Sequence, residues 1–302
     1  MRKKILILSS DPHSVNYEII KKSISFFEKK NNKNDYLFIG DKKDILSTLP
    51  NNKKNIISIL NVSKDNNSTK KYLKNCFDKA FNLLKGKKAN GIINLPLNKK
   101  NLPGNFPGVT EYISNAFNIA NRETMLLYSD SFAVCPNTTH IPLSQASTKL
   151  TKKNIIKNVI NINKFYKKII GVKKPKLSIM GFNPHNGADF KKKLEEQTII
   201  SPALKFLKKK KINIIGPIAP DSAFNQISIN KINCLIGNYH DQVLPTFKYI
   251  NKFNAINITL GLPFLRISPD HGPAENIKGK NLANPESFIF ALNFFEKYSK
   301  KI

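Results

Sequence analysis

Three of the five histidines occupy matched places in the chain. His140, His185 and His240 each close a run that begins as an apolar, β-rich segment: FAVCPNTTH, LSIMGFNPH and CLIGNYH. In open α/β sheets the carboxyl ends of the strands line the ligand crevice, so three strands would deliver three imidazoles to one edge. Neutral imidazole is the commonest side-chain metal ligand, and three of them leave positions open for a substrate. The pattern fits a metal site, although three unrelated loop histidines that bond to backbone or water would share the same spacing.

The densest run of reactive side chains is the stretch from Gly237 to Lys280. Gly-Pro breaks punctuate this stretch, which predicts loops on short strands. Lys248 and Arg266 would supply fixed positive charge, and Asn257 can donate and accept hydrogen bonds. A single lysine in so basic a chain is usually a solvated surface charge, whereas the chain has only three arginines. These residues are candidates for binding an anionic substrate.

Two aspartates are candidates for moving a proton or orienting a histidine. Asp241 directly follows His240, and Asp221 lies in the segment PDSAF. Either carboxylate could orient a ligand imidazole or accept a hydroxyl proton. The alternative for each is a turn aspartate that bonds to its own backbone.

The elements that would position these residues alternate between strands and helices. Short apolar runs predict strands at residues 4–9, 35–40, 55–60, 90–97, 124–129, 132–136, 176–182, 212–218 and 234–239. Periodic apolar faces predict helices at residues 69–85, 152–168, 194–210 and 285–300, and a further helix opened by Thr110 as its N-cap. This alternation indicates an α/β fold with a largely parallel sheet. The length of 302 residues suits one large α/β domain or two smaller ones.

The formal net charge is +30 at pH 7. Lysines are spread over the whole length, and Asn and Ile are abundant as well, which suggests a coding bias towards A and T. No nucleic-acid-binding motif is visible, and the short basic runs lack interleaved aromatic residues. We therefore expect no nucleic-acid partner and instead a field that attracts anionic metabolites.

The chain lacks the segments that mark export or membrane insertion. Its start, MRKKILILSS, has an apolar run of only four residues, whereas a secretory core needs about 7–15 and a membrane span about 20. We expect a cytoplasmic protein with no membrane partner. Cys76, Cys135 and Cys234 are odd in number and widely spaced, which fits reduced thiols rather than a disulfide framework or a zinc site.

Several blocks of the chain carry a resemblance to a known family. They are YHDQVLPTFK, NITLGLPFLR and DHGPAENIKGK, and upstream of these FPGVTEY, NTTHIPL, GFNPHNG and PDSAF. In this order they resemble the signature blocks of the 4-hydroxythreonine-4-phosphate dehydrogenase family, whose enzymes serve pyridoxal phosphate synthesis. The segment HGPAENIKGKNLANP is also similar to the adenosine-binding turn of isopropylmalate dehydrogenases, whose fold that family shares. The blocks cover roughly residues 90 to 300.

The resemblance implies two α/β/α lobes with mostly parallel sheets and a cleft between them, like those of isopropylmalate dehydrogenase. One lobe is expected to comprise residues 1–105 and 245–302 and to carry the cofactor turn. The other is expected to comprise residues 106–244 and to carry the metal ligands and dimer contacts. The family also implies a homodimer whose protomers share the active site.

The activity that the resemblance implies is a metal-dependent oxidation by NAD or NADP. The substrate would be 4-phosphooxy-L-threonine, and the β-keto acid formed would decarboxylate to 3-amino-2-oxopropyl phosphate in pyridoxal 5'-phosphate (vitamin B6) biosynthesis. One divalent ion is expected, and zinc, magnesium, cobalt, manganese and nickel all suit such a site.

The resemblance also assigns roles to matched positions. It implies metal ligands at His140, His185 and His240, substrate contacts at Thr110, Lys248, Asn257 and Arg266, cofactor contacts at Gly272 and Asn276, and catalytic roles for Lys99, Asp221 and Asp241.

The chain departs from the family pattern at four places. The family has a Gly-rich turn after the first strand where this chain has SSDPHSVN, and it has histidines where this chain has Asn98 and Val109. An acidic residue is expected where Asn276 stands, which weakens the preference for NAD over NADP. These departures leave two alternatives open. One is a dehydrogenase of another phosphorylated 3-hydroxy acid, such as threonate or erythronate phosphate. The other is a non-catalytic binding protein of the same fold.

Overall fold

The structure is a computed structural model that describes residues 3–29, 31–64 and 68–302. These residues form eleven strands. In chain order the strands are β1 (Lys3–Leu8), β2 (Asn34–Gly40), β3 (Ser58–Asn61), β4 (Gly91–Asn94), β5 (Thr124–Tyr128), β6 (Ala133–Pro136), β7 (Leu177–Met180), β8 (Ile214–Ile218), β9 (Cys234–Gly237), β10 (Ile256–Leu260) and β11 (Leu265–Pro269).

The same residues form eleven α-helices. They are α1 (Asn16–Lys22), α2 (Ile24–Phe27), α3 (Lys42–Ser47), α4 (Thr69–Lys85), α5 (Val109–Ala116), α6 (Ala146–Lys149), α7 (Lys152–Phe165), α8 (Ser201–Lys209), α9 (Asn225–Asn230), α10 (His240–Asn251) and α11 (Glu286–Tyr298). Two single π-helical turns flank the helices of the second half, Tyr166–Ile170 after α7 and Glu196–Ile200 before α8.

The described residues fall into two compact units. The first unit runs up to Asn121 and resumes at Phe253, and the second unit is Arg122–Lys252. The sequence placed the borders of two lobes after residues 105 and 244, so both borders of the units lie further along the chain.

Side-chain packing explains where these borders fall. In the first unit, Val109 and Tyr112 of α5 pack against the hydrophobic core that α4 and β1 build. In the second unit, Phe247 of α10 lies edge-on against Phe132, with ring centroids 5.4 Å apart. Helix α5 therefore belongs with the preceding strands, and α10 belongs with β6 and β9.

The first unit contains a sheet of order β3-β2-β1-β4-β11-β10. Neighbouring strands from β3 to β11 run parallel, and β10 runs antiparallel to β11. In the last pair Thr259 lies directly opposite Arg266, so both side chains share one face of the sheet.

The second unit contains strands in the order β5-β6-β9-β7-β8. Strand β9 pairs in parallel with β6 on one side and with β7 on the other, and β7 pairs in parallel with β8. Strand β5 runs antiparallel to β6. The predicted α/β fold with mostly parallel strands is confirmed in both units.

Helix α4 matches its predicted bounds, residues 69–85. Ser68 begins the helix because its hydroxyl accepts from the Lys71 backbone N–H at 3.2 Å. The buried face of α4 carries Tyr72, Leu73, Cys76, Phe77, Ala80, Phe81 and Leu84. This face packs on β1 and β2 and forms much of the core of the first unit.

The stretch from Gly237 onward is less open than predicted. Loops on short strands were expected, and the structure has the twelve-residue helix α10 in this place, followed by β10 and β11. Pro245 lies inside α10. A proline removes one helical hydrogen bond and indicates a break, but burial of Val243, Leu244 and Phe247 holds the helix together.

None of the helices in residues 3–29, 31–64 and 68–302 combines the length and apolar character that a membrane span requires.

The three cysteines are free and buried. Burial raises the pKa of the Cys76 and Cys135 thiols to about 12, and it also raises the pKa of Cys234. At pH 8 only about one Cys76 thiol in 10,000 would be ionised, and the thiolate is the reactive form.

A thiol reagent should therefore label none of the three cysteines in the native protein within minutes, and all three after denaturation in guanidinium. A rapidly labelled native thiol would contradict this burial.

Candidate functional site

The three histidines of the matched pattern lie beyond the ends of three neighbouring strands. His140 follows β6, His185 follows β7, and His240 is the first residue of α10, just after β9. Because β9 pairs in parallel with both β6 and β7, their carboxyl ends face the same edge. The sheet of the second unit thus brings three imidazoles to one edge.

Backbone and amide groups continue the hydrogen bonding where these strands stop. The N–H of Asn137 donates to the carbonyl of Gly237 at 2.8 Å, and the N–H of Thr138 donates to that of Asn238 at 3.2 Å. The side-chain amide of Asn238, which is fully buried, donates to the carbonyl of Met180 at 3.0 Å. The ends of β6, β9 and β7 are therefore tied together by residues that the sequence patterns did not single out.

Further amides brace this edge. The side chain of Gln242 donates to the Gly181 carbonyl at 2.8 Å and accepts from the Asn238 backbone N–H at 2.7 Å. Asn158 of α7 donates to the side chain of Asn137 at 3.1 Å. A polar residue directly after each buried strand run, as in CPN and IGN, is the signal that could have revealed these residues.

Two of the histidines are held by carboxylates. The Nδ1 atom of His240 lies 2.6 Å from Asp241, and the Nδ1 atom of His185 lies 2.5 Å from Asp189. An ionised carboxylate only accepts, so each Nδ1 carries the hydrogen and each Nε2 keeps its lone pair. This is the arrangement in which metal-binding histidines occur, since the carboxylate fixes the ring and raises the basicity of the ligating nitrogen.

The donor set fits a divalent metal in its chemistry. The rings of His140 and His240 lie with centroids 6.0 Å apart. In the described ranges, however, no three His, Cys, Asp or Glu side chains stand close enough together to hold a metal ion. The structure thus brings the rings of His140 and His240 together, and the role of all three histidines as metal ligands stays a prediction.

The remaining predicted residues of this unit are exposed. Asp221 accepts a hydrogen bond from the backbone N–H of Ser222 at 2.9 Å, as a turn aspartate does. Its charge also helps to raise the pKa of His185, which places it within electrostatic reach of that ring. Lys248 lies on the exposed side of α10.

Arg266 is a buried cation of the first unit, with 3% of its surface exposed. Its Nε donates to the Asn94 side chain at 2.5 Å, and its Nη1 donates to Thr259 at 2.8 Å and to Thr110 at 3.2 Å. Burial lowers the pKa of Arg266 to about 10, which the charge of Glu111 partly opposes. The guanidinium therefore keeps its charge at neutral pH while neutral oxygens hold it in place.

Thr110 has a different role from the predicted N-cap. Helix α5 begins at Val109 with Gly108 as its N-cap, so Thr110 lies in the first turn. Its hydroxyl meets Arg266 instead of the helix backbone, which brings two of the predicted substrate residues together. Asn257, a third, is half-buried on β10, and within the described residues its buried Oδ1 has no hydrogen-bond partner.

The predicted cofactor turn lies after β11. Gly272 and Asn276 are both exposed, and a Cβ added at Gly272 would meet nothing within 4 Å. Glu275 accepts from the side chain of Asn98 at 2.5 Å. The turn therefore has open space on one side and a carboxylate next to Asn276.

The loop that carries Lys99 is tied to two other segments. Asn98 links it to Glu275 and also caps the turn of Lys99 by accepting from the Lys100 N–H at 2.9 Å. The fully buried carboxylate of Asp11 accepts from the Asn98 N–H at 2.6 Å. Lys99 itself is exposed. The SSDPHSVN turn thus works as a hydrogen-bonded anchor where the family has glycines.

The fold defines the class of protein first. The chain superposes on isocitrate dehydrogenase from Methylococcus capsulatus with a TM-score of 0.55 at 10% identity, covering 98% of this chain and 85% of that one. Over 98% of its length it also superposes, with a TM-score of 0.82 and 24% identity, on 99% of 4-hydroxythreonine-4-phosphate dehydrogenase from Klebsiella pneumoniae. These similarities show the fold that the family resemblance implied.

The sequence comparisons then define the family. A family model described as "Pyridoxal phosphate biosynthetic protein PdxA" matches residues 3–295. The 4-hydroxythreonine-4-phosphate dehydrogenase of Sulfurihydrogenibium sp. (strain YO3AOP1) is 36% identical over 318 aligned positions, which cover 96% of each chain. The chain therefore belongs to the PdxA family of pyridoxal phosphate biosynthetic proteins. The prediction of an oxidoreductase that acts on a CH–OH group is confirmed.

The contact between His185 and Asp189 leads us to expect that the stability of the folded protein depends on pH. The hydrogen bond that His185 donates to Asp189, together with the negative charge of that carboxylate, raises the pKa of His185. The folded protein therefore binds this proton more tightly than the unfolded chain, whose histidine pKa is about 6.5. The resulting stabilisation is present below that pH and is lost as pH rises through the folded pKa.

Asp189→Asn should therefore lower the pKa of His185, as measured by NMR titration of its Cε1–H in metal-free protein. Asp78→Asn is the matched control, because Asp78 pairs with Lys74 on the surface of α4. An unchanged His185 pKa in the Asp189 variant would mean that the pair does not exist in solution.

Proposed function

We propose that this oxidoreductase oxidises 4-phosphooxy-L-threonine (4-hydroxythreonine 4-phosphate) with NAD or NADP and one divalent cation. The β-keto acid formed then loses carbon dioxide to give 3-amino-2-oxopropyl phosphate for pyridoxal 5'-phosphate synthesis. The observation that carries the proposal is the delivery of three histidines from three adjacent parallel strands. Membership of the PdxA family supports the same reading. A homodimer that works in the cytoplasm, with no nucleic-acid or membrane partner, belongs to this proposal.

His140, His185 and His240 would hold the divalent cation. When bound, such a cation acts as a Lewis acid towards the substrate hydroxyl and the carbonyl that replaces it. The carboxylates of Asp189 and Asp241 keep the rings of His185 and His240 oriented with Nε2 available. Asp241 is thereby engaged in orienting a ligand.

The oxidation needs an acceptor for the hydroxyl proton. When bound, the nicotinamide would supply the acceptor for the hydride, and the hydroxyl proton would pass to a base of this chain. With Asp241 bound to His240, we assign the base to Asp221 or Lys99. In the decarboxylation the C–C electron pair passes into the new carbonyl group, and a proton returned to carbon completes the product.

The anionic groups of the substrate would be bound by cationic and polar side chains. Arg266 and Thr110 form a fixed pair in the first unit, and Asn257 offers a buried acceptor on the same sheet. In the second unit the exposed Lys248 supplies a point charge. Arginine suits phosphate and carboxylate because its donors have a fixed geometry.

The turn after β11 would bind the adenosine part of the cofactor through Gly272 and Asn276. The open space at Gly272 lets a ligand approach the backbone closely. A carboxylate at such a turn accepts the ribose hydroxyls of NAD, and Glu275 is the carboxylate present here. Since Asn98 already binds Glu275, NADP is retained as an alternative cofactor.

Val109 favours a second candidate substrate. Its side chain packs against the apolar core of the first unit and offers no donor beside Thr110. A different phosphorylated 3-hydroxy acid, threonate or erythronate phosphate, would not need the contact that the family histidine makes. Ranking the acids by kcat/KM distinguishes the two substrates.

The direct test measures reduced cofactor while 4-phosphooxy-L-threonine is supplied with NAD or NADP and a divalent ion. We expect turnover that a chelator abolishes and added metal restores.

His240→Ala should be inactive and bind metal weakly while staying folded, since a ligand at a strand end contributes little to the core. Absence of reduced cofactor with every acid and both nucleotides would refute the proposal.

Arg266→Lys should lower kcat/KM although the charge is kept. An ammonium cannot reproduce the bonds to Asn94, Thr110 and Thr259 together with a substrate contact. Losing a charged hydrogen bond costs about 1.5–3 kcal/mol, which corresponds to roughly 10- to 150-fold in kcat/KM. The exposed Arg122→Lys serves as the matched control. Equal kcat/KM in both variants would remove Arg266 from the substrate site.

A further inference from the structure

Glu196 is a buried carboxylate that the proposed chemistry does not use. Only 2% of its surface is exposed, and within the described residues no lysine or arginine pairs with it. It stands in the π-helical turn Glu196–Ile200, which precedes α8. An unpaired buried charge is costly, so its hydrogen bonds must compensate for the lost hydration.

Those hydrogen bonds all come from the segment after β7. One oxygen of Glu196 accepts from the backbone N–H groups of Phe182 and Asn183, each at 2.7 Å. The other oxygen accepts from the side-chain amide of Asn183 at 3.0 Å. The Glu196 carboxylate therefore accepts the hydrogen bonds of the backbone N–H groups that follow the end of β7.

The segment held in this way has a strained backbone. His185 and Asn186 have φ of 48° and 59°, and Gly187 follows with φ of 72°. Left-handed geometry is unfavourable for a residue with a side chain, so surrounding contacts must impose it. A Cβ on Gly187 would meet the Glu196 carboxylate at 3.0 Å, so the turn closes directly onto this carboxylate.

We propose that Glu196 is a positioning residue for the metal site, because it fixes the turn that presents the His185 imidazole. The inference rests on the proposed role of His185 as a ligand. Glu196 touches neither metal nor substrate in this scheme, and it acts through residues 181–187.

Glu195 provides a matched control within the same chain. It is the same residue type at the adjacent position, and among the described residues it accepts only from the side chain of Asn183, at 2.9 Å. Glu196→Ala leaves two backbone N–H groups without their acceptor, whereas Glu195→Ala removes one side-chain bond. Glu196→Gln keeps an acceptor for the backbone groups and serves as the variant that folds if the alanine variant does not.

Two measurements on the full-length metal-free protein test the proposal. The first is amide hydrogen exchange of residues 181–187, and the second is Zn²⁺ affinity by competition with a chelating dye, at a temperature where each variant is fully folded. We expect Glu196→Ala to speed exchange at Phe182 and Asn183 and to weaken Zn²⁺ binding by about 10- to 100-fold, as loss of a group that orients a ligand does. Glu196→Gln should be intermediate, and Glu195→Ala should match the wild type.

The outcomes separate this inference from the proposed function. His185→Ala is measured alongside, and unchanged Zn²⁺ affinity in it would show that His185 is not a ligand, so both proposals would fail at that residue. If His185→Ala weakens binding but both Glu196 variants bind like the wild type, the positioning role is refuted and the metal site stands. A lower melting temperature with unchanged Zn²⁺ affinity likewise refutes it, because a purely structural role predicts that result.

Discussion

The site of the second unit depends on how β6, β9 and β7 end. Backbone groups that leave a ladder in a buried place must find partners, and water cannot supply them there. Asn137 supplies one for the last carbonyl of β9, Asn238 supplies one for the last carbonyl of β7, and Glu196 supplies them for the segment after β7. The same bonds fix the loops from which the three histidines project. The same hydrogen bonds thus satisfy the backbone groups at the sheet edge and hold the loops that carry the imidazoles.

In the first unit, the buried group that needs hydrogen-bond partners is a cation. Arg266 is desolvated, but all three of its described hydrogen bonds go to neutral side-chain oxygens, from Asn94, Thr110 and Thr259. Neutral acceptors replace part of the lost hydration without cancelling the charge, whereas a bound carboxylate would cancel it. The positive potential therefore remains available to an anionic ligand. Glu111 opposes the depression of the Arg266 pKa by its charge, and the net direction is still downward because burial dominates.

The sequence predicted the elements whose structure depends on residues close together in the chain. Helix α4 could be placed to the residue because a capping serine precedes an amphipathic face of five turns. The strand ends that carry His140, His185 and His240 followed from short apolar runs. Helix α10 was missed because Pro245 resembles a helix break, whereas the burial of its apolar face depends on tertiary packing. Glu196 was missed because KKKLEEQ reads as a charged surface, and only the fold shows which of its two glutamates is buried.

Two departures from the family pattern have different structural consequences. Asn98 forms side-chain hydrogen bonds: it caps the turn of Lys99 and donates to Glu275, so its loop stays tied to the turn after β11. The side chain of Val109 forms no hydrogen bond, because it is apolar and packs on the core of the first unit. Position 109 therefore lacks a side-chain donor, and the described side-chain hydrogen bonds of Thr110 go to Arg266 and Thr259. In the proposed function, an anion bound beside α5 would then depend more heavily on Arg266, and the neutral oxygen partners that hold the guanidinium would set how tightly that anion is bound.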